Sequence, residues 1–261
     1  MSLNSHLLAT AGNLIITQSE RSVIDNHIMA LNVKLIWYFD SGVVKEKFTF
    51  GSFKRKTLMP RRADSRSDVD YMIVFADDSK QPSTYLNYLK DFALAKYTSS
   101  EIYQSHPTIV LELSKIKIEL VPAILSSWDS YQIPAALNDY STWQTTHPNA
   151  FNNQLSNKNS NDKGLIRPLI RVMKYWNALN GWVYSSYELE NMIVNHYYIF
   201  CNDLFDYFKS FVSSAGTYGL SQTKKDKVDR LKRIVNDATK LNSDGFPTAA
   251  ENKLKEAIPP Y

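Results

Sequence analysis

Hydrophobic positions along the chain follow two rhythms, and the change from one to the other divides the sequence. Val23, Ile24, His27, Ile28, Leu31 and Leu35 recur at helical spacing behind Thr17-Gln18-Ser19-Glu20, whose outer residues have the form of a capping box. This predicts a long helix to about Phe39, ended by Ser41-Gly42. From Val43 to Phe50 the period shortens to two, with Phe48 and Phe50 alternating with Lys47 and Thr49, which predicts a strand. Val69 to Phe75 reads as a second strand, and Tyr85 to Tyr97 as a helix opened by Pro82, Ser83 and Thr84. Thr108 to Leu113 and Ile116 to Val121 read as two further strands joined by a tight turn at Ser114-Lys115. These elements predict a small mixed sheet backed by helices.

Beyond Val121 the rhythm is lost. Pro122 to Lys163 carries Pro134, Pro148 and many Asn, Ser and Thr residues, and reads as an irregular crossover. Its stretch Tyr140 to Asn161 reads as a polar surface loop that Trp143 and Phe151 attach to something packed. From Leu165 the helical period returns, with Leu165, Leu169, Val172, Met173 and Trp176 on one face. Leu189 to Phe211, Asp226 to Leu241 and Ala249 to Ala257 supply the later helices. The expected fold is α+β and two-lobed: a mixed sheet with helices over residues 1–140, and a helical lobe over 141–261. The long N-terminal helix is expected to join them.

Composition narrows this picture. With 44% hydrophobic residues the chain can bury a full core, and 30 basic against 26 acidic residues leave only a mild preference for anionic ligands. Cys201 is the one cysteine, which excludes an intramolecular disulfide and a cysteine zinc cluster and suits a reducing cytosol. The apolar run from Ile193 to Phe205 is interrupted by Asn195, His196, Asn202 and Asp203, so no membrane span is expected. The first residues lack a basic and then apolar leader, and the expectation is a cytoplasmic monomer. His27 and His196 fall within helical patterns and read as packed or surface residues rather than metal ligands.

The candidate chemistry lies where the first strand ends. Gly51-Ser52 closes a strand and opens a helix, a place where backbone N–H groups and a hydroxyl can meet a phosphate. Asp68 and Asp70, spaced i, i+2 at the mouth of the next strand, leave the same face and can share divalent metal, while Val69, Tyr71 and Ile73 face the other way. Glu119, opposite in face to Ile116, Ile118 and Leu120, offers a third acid. Phosphate held by backbone and metal held by carboxylates is what nucleotidyl transfer requires. Lys54, Arg55, Lys56, Arg61 and Arg62 flank this place and read as substrate attraction or a solvated face, with no stable nucleic-acid partner expected.

Gly-Ser, a spacer and Asp-x-Asp resemble the mark of the DNA polymerase beta-like nucleotidyltransferase superfamily. Three further stretches narrow the resemblance to the CD-NTases, the bacterial relatives of cyclic GMP-AMP synthase and oligoadenylate synthase. They are Glu119-Leu120-Val121-Pro122-Ala123, Ile170-Arg171-Val172-Met173-Lys174-Tyr175-Trp176-Asn177 and Ser185-Ser186-Tyr187-Glu188-Leu189-Glu190. The resemblance implies a polymerase-beta-like catalytic lobe over 1–140 and a helical lobe over 141–261 that completes the nucleotide cleft. It implies an enzyme that joins nucleoside triphosphates, ATP with UTP, GTP or CTP, into a cyclic di- or trinucleotide. That product would be a second messenger read by a separate effector protein in antiphage signalling of the CBASS type.

Carried over by position, the resemblance implies that Gly51 and Ser52 hold the donor triphosphate and that Asp68, Asp70 and Glu119 bind Mg2+ or Mn2+. Glu119 would also help to activate the acceptor hydroxyl. Lys174 would neutralise the β and γ phosphates, Ser186 hydrogen-bond them, Tyr187 stack on the donor base, and His147 read a base edge from Trp143-Gln144-Thr145-Thr146-His147-Pro148-Asn149. Each has a plainer alternative: a solvated lysine, an N-cap at Ser186, a core aromatic at Tyr187 and a solvated loop histidine. Glu119 departs from the usual aspartate by one methylene, about 1.5 Å of reach. Transfer to RNA 3′ ends, an antibiotic or a protein, and a relative that only binds nucleotide or RNA, stay open as alternatives.

Overall fold

A computed structural model describes residues 2–105, 107–127, 130–135 and 141–261. The expected lobe boundary between residues 140 and 141 falls at the edge of 136–140, outside the described residues. By its contacts the chain forms two compact units, and neither is continuous. One comprises Thr17–Leu58 and Ser67–Asn153; the other gathers the chain up to Ile16, Met59–Arg66 and Gln154–Tyr261.

In the first unit α2 (Gln18–Tyr38) opens with both halves of the predicted capping box: the Thr17 hydroxyl accepts from Glu20 N, and Glu20 accepts from Thr17 N. Reciprocal capping of this kind contributes about 1 kcal/mol. β1 (Val44–Thr49), the short α3 (Gly51–Arg55), β2 (Val69–Phe75) and α4 (Pro82–Lys96) follow as the sequence predicts. An edge strand with no apolar alternation, β3 (Glu101–Ser105), precedes β4 (Thr108–Glu112). The sheet order is β1-β2-β5-β4-β3, and β2 with β5 is its parallel pair.

β5 (Lys117–Ser127) runs far past the expected end at Val121. Pro122 keeps its register with Ile73 of β2, and on the other edge of the strand it falls in a gap. Pairing with β4 ends at Leu120, and pairing with β6 (Ser130–Pro134) begins at Ile124, so on that edge no ladder pair is lost. The crossover expected to be irregular is in fact β6, β7 (Trp143–Thr146) paired to it, and α5 (Pro148–Asn161). Asparagine-rich α5 has poor intrinsic propensity, and the buried i, i+4 pair Phe151 and Leu155 supplies what propensity does not. Trp143 packs on Tyr85 with ring centroids 5.7 Å apart.

The second unit begins with a helix the sequence reading missed, α1 (Leu3–Asn13), capped by Ser2 and buried along Leu3, Leu7 and Ala11. Its remaining helices are α6 (Ile166–Leu179), α7 (Ser186–Asn195), α8 (Leu204–Ser214), α9 (Gln222–Ser243) and α10 (Pro247–Lys255). The single helix expected over Leu189 to Phe211 is two. α7 ends at His196, Phe200 takes a left-handed φ of 57°, and the Asp203 carboxylate caps α8 by accepting from Asp206 N. α1 packs against α6, α8 and α10, and the Arg171 guanidinium donates to Ala11 O at 2.9 Å. No helix among the described residues is long and apolar enough to cross a membrane.

Candidate active site

Five of the nine predicted site residues meet in the first unit, at one end of one face of the sheet. Tyr71, Ile73 and Phe75 leave β2 on the face covered by α2 and α4, where the Tyr71 hydroxyl hydrogen-bonds Asn32. Asp70, Met72 and Val74 leave it on the other face. The parallel register sets Asp70 level with Glu119, then Met72 with Val121 and Val74 with Ala123. That face is therefore acidic at its entrance and dry two residues further in, where Met72, Val74, Ala123 and Tyr131 are buried and the half-buried Phe48 and Phe50 pack against them.

Gly51 opens α3 directly against this acid pair. Its φ is +63°, and a β-carbon built on it would lie 1.7 Å from Asp70 Oδ2 and 2.5 Å from Asp70 Cγ. Only glycine meets both demands, so the backbone of Gly51 and the carboxylate of Asp70 share one space. The strand end is tied to the same residue, since Phe50 N donates to Asp70 O at 3.0 Å. Buried Ser52 anchors the far side of the turn: its carbonyl accepts from Thr57 N and Leu58 N at 3.0 and 3.1 Å. A five-residue helix has little stability of its own, and these bonds hold it in place.

Two side chains that carried no predicted role complete the cluster. Lys117 Nζ lies 3.1 Å from Asp68 Oδ2 and 3.0 Å from Glu119 Oε1, and the Thr108 hydroxyl hydrogen-bonds Glu119 Oε2 at 3.3 Å and Ser105 O at 2.7 Å. Alternation along β5 puts Lys117 on the face of Glu119, a signal present in the sequence; Thr108 becomes a partner only through strand pairing. Burial and the neighbouring Glu119 carboxylate push Asp68 up to about 6, against the opposing pull of Lys117. Three hard carboxylate oxygen donors on adjacent strands suit a divalent cation such as Mg2+ or Mn2+.

Lys174, Ser186 and Tyr187 lie in the other unit. Lys174 on α6 is buried and ion-paired to the fully buried Glu190 of α7 at 3.4 Å, so it is no solvated lysine. Ser185, not Ser186, caps α7 by accepting from Glu188 N, which leaves the exposed Ser186 hydroxyl out of the cap. Tyr187 is 59% exposed, which rules out the core-aromatic alternative. His147 is exposed between β7 and α5. Breaking a buried ion pair by removing one partner costs about 3–5 kcal/mol. Glu190→Ala is accordingly expected to lower the unfolding free energy by about that amount, read from urea denaturation; a loss under about 1 kcal/mol would count against a structural role for the pair.

Residues 1–159 match the model of a family described as Second Messenger Oligonucleotide or Dinucleotide Synthetase domain. The chain is 27% identical over 195 residues to a probable cyclic nucleotide synthase of Bacillus cereus (strain VD146), a stretch that covers 59% of this chain and 56% of the relative. It thus spans little more than half of that relative's length. Among solved structures, the chain resembles the di-nucleotide cyclase DncV of Vibrio cholerae, in complex with GTP and 5MTHFGLU2, with a TM-score of 0.76 at 14% identity over 99% of this chain and 97% of that one. Escherichia coli MS115-1 CdnC with ATP gives 0.71 at 12% identity, covering 97% of each chain. Bradyrhizobium diazoefficiens CdnG with GTP gives 0.71 at 11% identity, covering 98% of each. At these identities the structural likeness establishes the polymerase-beta-like fold.

Proposed function

The chain belongs to the second messenger oligonucleotide or dinucleotide synthetase family, and from that premise we propose that it is a metal-dependent nucleotidyltransferase that joins nucleoside triphosphates into a cyclic di- or trinucleotide. The observation that carries the reading is the register of Asp70 with Glu119, directly beside Asp68 and under the backbone of Gly51. Three acids beside a glycine backbone turn on one sheet face serve phosphoryl chemistry better than they serve stability, because clustered carboxylates repel.

In this reading the Ser52 hydroxyl and the backbone of the Gly51-Ser52 turn bind the donor phosphates. Asp68, Asp70 and Glu119 hold Mg2+ or Mn2+. The bound cation would neutralise triphosphate charge and lower the pKa of the attacking hydroxyl. The acceptor ribose oxygen would bond to the α-phosphorus as pyrophosphate leaves, with Glu119 helping to activate the hydroxyl by taking up its proton. Ser186 acts on the β and γ phosphates, as Lys174 would on exchanging its buried partner Glu190 for them, while Tyr187 stacks on the donor base and His147 reads a base edge. Structures of this fold solved with ATP or GTP support the choice of substrate class. The product would act on a separate effector in antiphage signalling.

The purified protein with the four radiolabelled triphosphates and Mg2+ or Mn2+ is expected to release pyrophosphate and form a phosphatase-resistant product. Pyrophosphate release with only linear or macromolecule-linked nucleotide would overturn cyclisation while keeping the transferase chemistry.

A further inference from the structure

The three acids are not already drawn around a common point: among the described residues no three His, Cys, Asp or Glu side chains form a ready cage for a metal ion. An ammonium group stands between two of them. Lys117 lies one residue before Ile118, and Asp68 one residue before Val69, the pair that opens the parallel β2–β5 register. Lysine and aspartate therefore start level on neighbouring strands, and Glu119 follows on the face of Lys117 two residues on. The contacts are 3.1 Å to Asp68 Oδ2 and 3.0 Å to Glu119 Oε1, with the three side chains 14, 26 and 17% exposed. At that burial the attraction is only partly screened, unlike an ordinary surface ion pair.

We infer that Lys117 is a resident counter-ion of the acid triad, which a divalent metal must displace before it can bind. The inference rests on the proposed metal-binding role of Asp68, Asp70 and Glu119. Mg2+ binds carboxylate oxygens at about 2.0–2.1 Å. A dication held by the Asp68 and Glu119 carboxylates would compete with the ammonium for their negative charge and repel it by its own. In the metal-free protein the lysine has the opposite value, because it offsets the mutual repulsion of the carboxylates. A nucleotide that brings its own metal also brings phosphate oxygens, which give the displaced ammonium another partner. Metal loading of the protein alone is thereby disfavoured relative to loading with substrate, a coupling that must act equally in both directions.

The test is a Mn2+ titration of the nucleotide-free protein followed by electron paramagnetic resonance, with melting curves in chelator as a second readout. Lys117→Met is expected to bind Mn2+ about tenfold more tightly than the wild type or better, the scale of one lost charge-assisted competitor. Its melting temperature in chelator should fall and be restored by Mn2+. Lys117→Arg, which keeps the charge, should stay close to the wild type, and Lys117→Gln serves if the methionine variant does not fold. Asp68→Asn and Glu119→Gln should each weaken Mn2+ binding. If they bind like the wild type, the acid site itself is misassigned and the inference falls with it. If they lose Mn2+ while the neutral variants at 117 bind no more tightly than the wild type, the counter-ion inference alone is overturned.

Discussion

Asp70→Asn is expected to abolish nucleotide joining, with turnover reduced by at least about 10³-fold, while the protein still folds. The loss follows from charge rather than shape. The amide keeps the outline of the carboxylate, so the close fit against Gly51 and the bond from Phe50 N to the backbone of residue 70 are unchanged. What disappears is one hard anionic ligand at the point where metal and triphosphate charge would be balanced, a term worth several kcal/mol in the transition state. Asp68→Asn should lose activity to a similar degree. Pyrophosphate release, measured beside a melting curve, checks both variants. A folded Asp70→Asn protein that retains activity within threefold of the wild type would remove the acids from the chemistry.

The second large effect comes from adding a single methyl group. Gly51→Ala demands a left-handed φ of an alanine, which costs about 1 kcal/mol, and drives its β-carbon to 1.7 Å from Asp70 Oδ2. The short aspartate cannot yield at its tip alone, since its own Cβ would be 3.0 Å away, so the carboxylate must rotate off its place beside Glu119. We expect activity to fall by about 10²-fold or more, with stability lower by roughly 1–2 kcal/mol. A double-mutant cycle isolates the cause: if the alanine acts by displacing Asp70, adding Gly51→Ala to Asp70→Asn should reduce activity no further. Full additivity would show that the turn at Gly51 acts independently of the carboxylate.

How much of this was legible in the sequence depended on whether a residue's role is local. The capping box and the strand Val69–Phe75 are written within a few residues, and each took the expected form. Local reading failed where a distant partner decides. Pro122 looked like the end of a strand, but β5 changes partner from β4 to β6 around it. The asparagine-rich stretch looked like a loop, but two apolar residues at helical spacing hold it as α5. β3 lies at the sheet edge with exposed side chains and so carries no hydrophobic alternation to detect. In the site, the acids were readable from spacing, whereas the contacts of Lys117 and Thr108 exist only because β2, β4 and β5 lie side by side.

The face that carries the acids turns to hydrocarbon two residues beyond them, at Met72, Val74, Ala123 and Tyr131. Water can reorient in front of the carboxylates but not behind them, so their field is screened on one side only. Lines of force that would spread evenly from a cluster on an open surface are instead directed out through the polar end of the face. A cation approaching from that end feels the triad within roughly a Debye length, about 8 Å at physiological ionic strength. The apolar floor thus shapes the direction of capture as well as the fold, and added salt should slow the arrival of a metal ion more than it loosens one already bound.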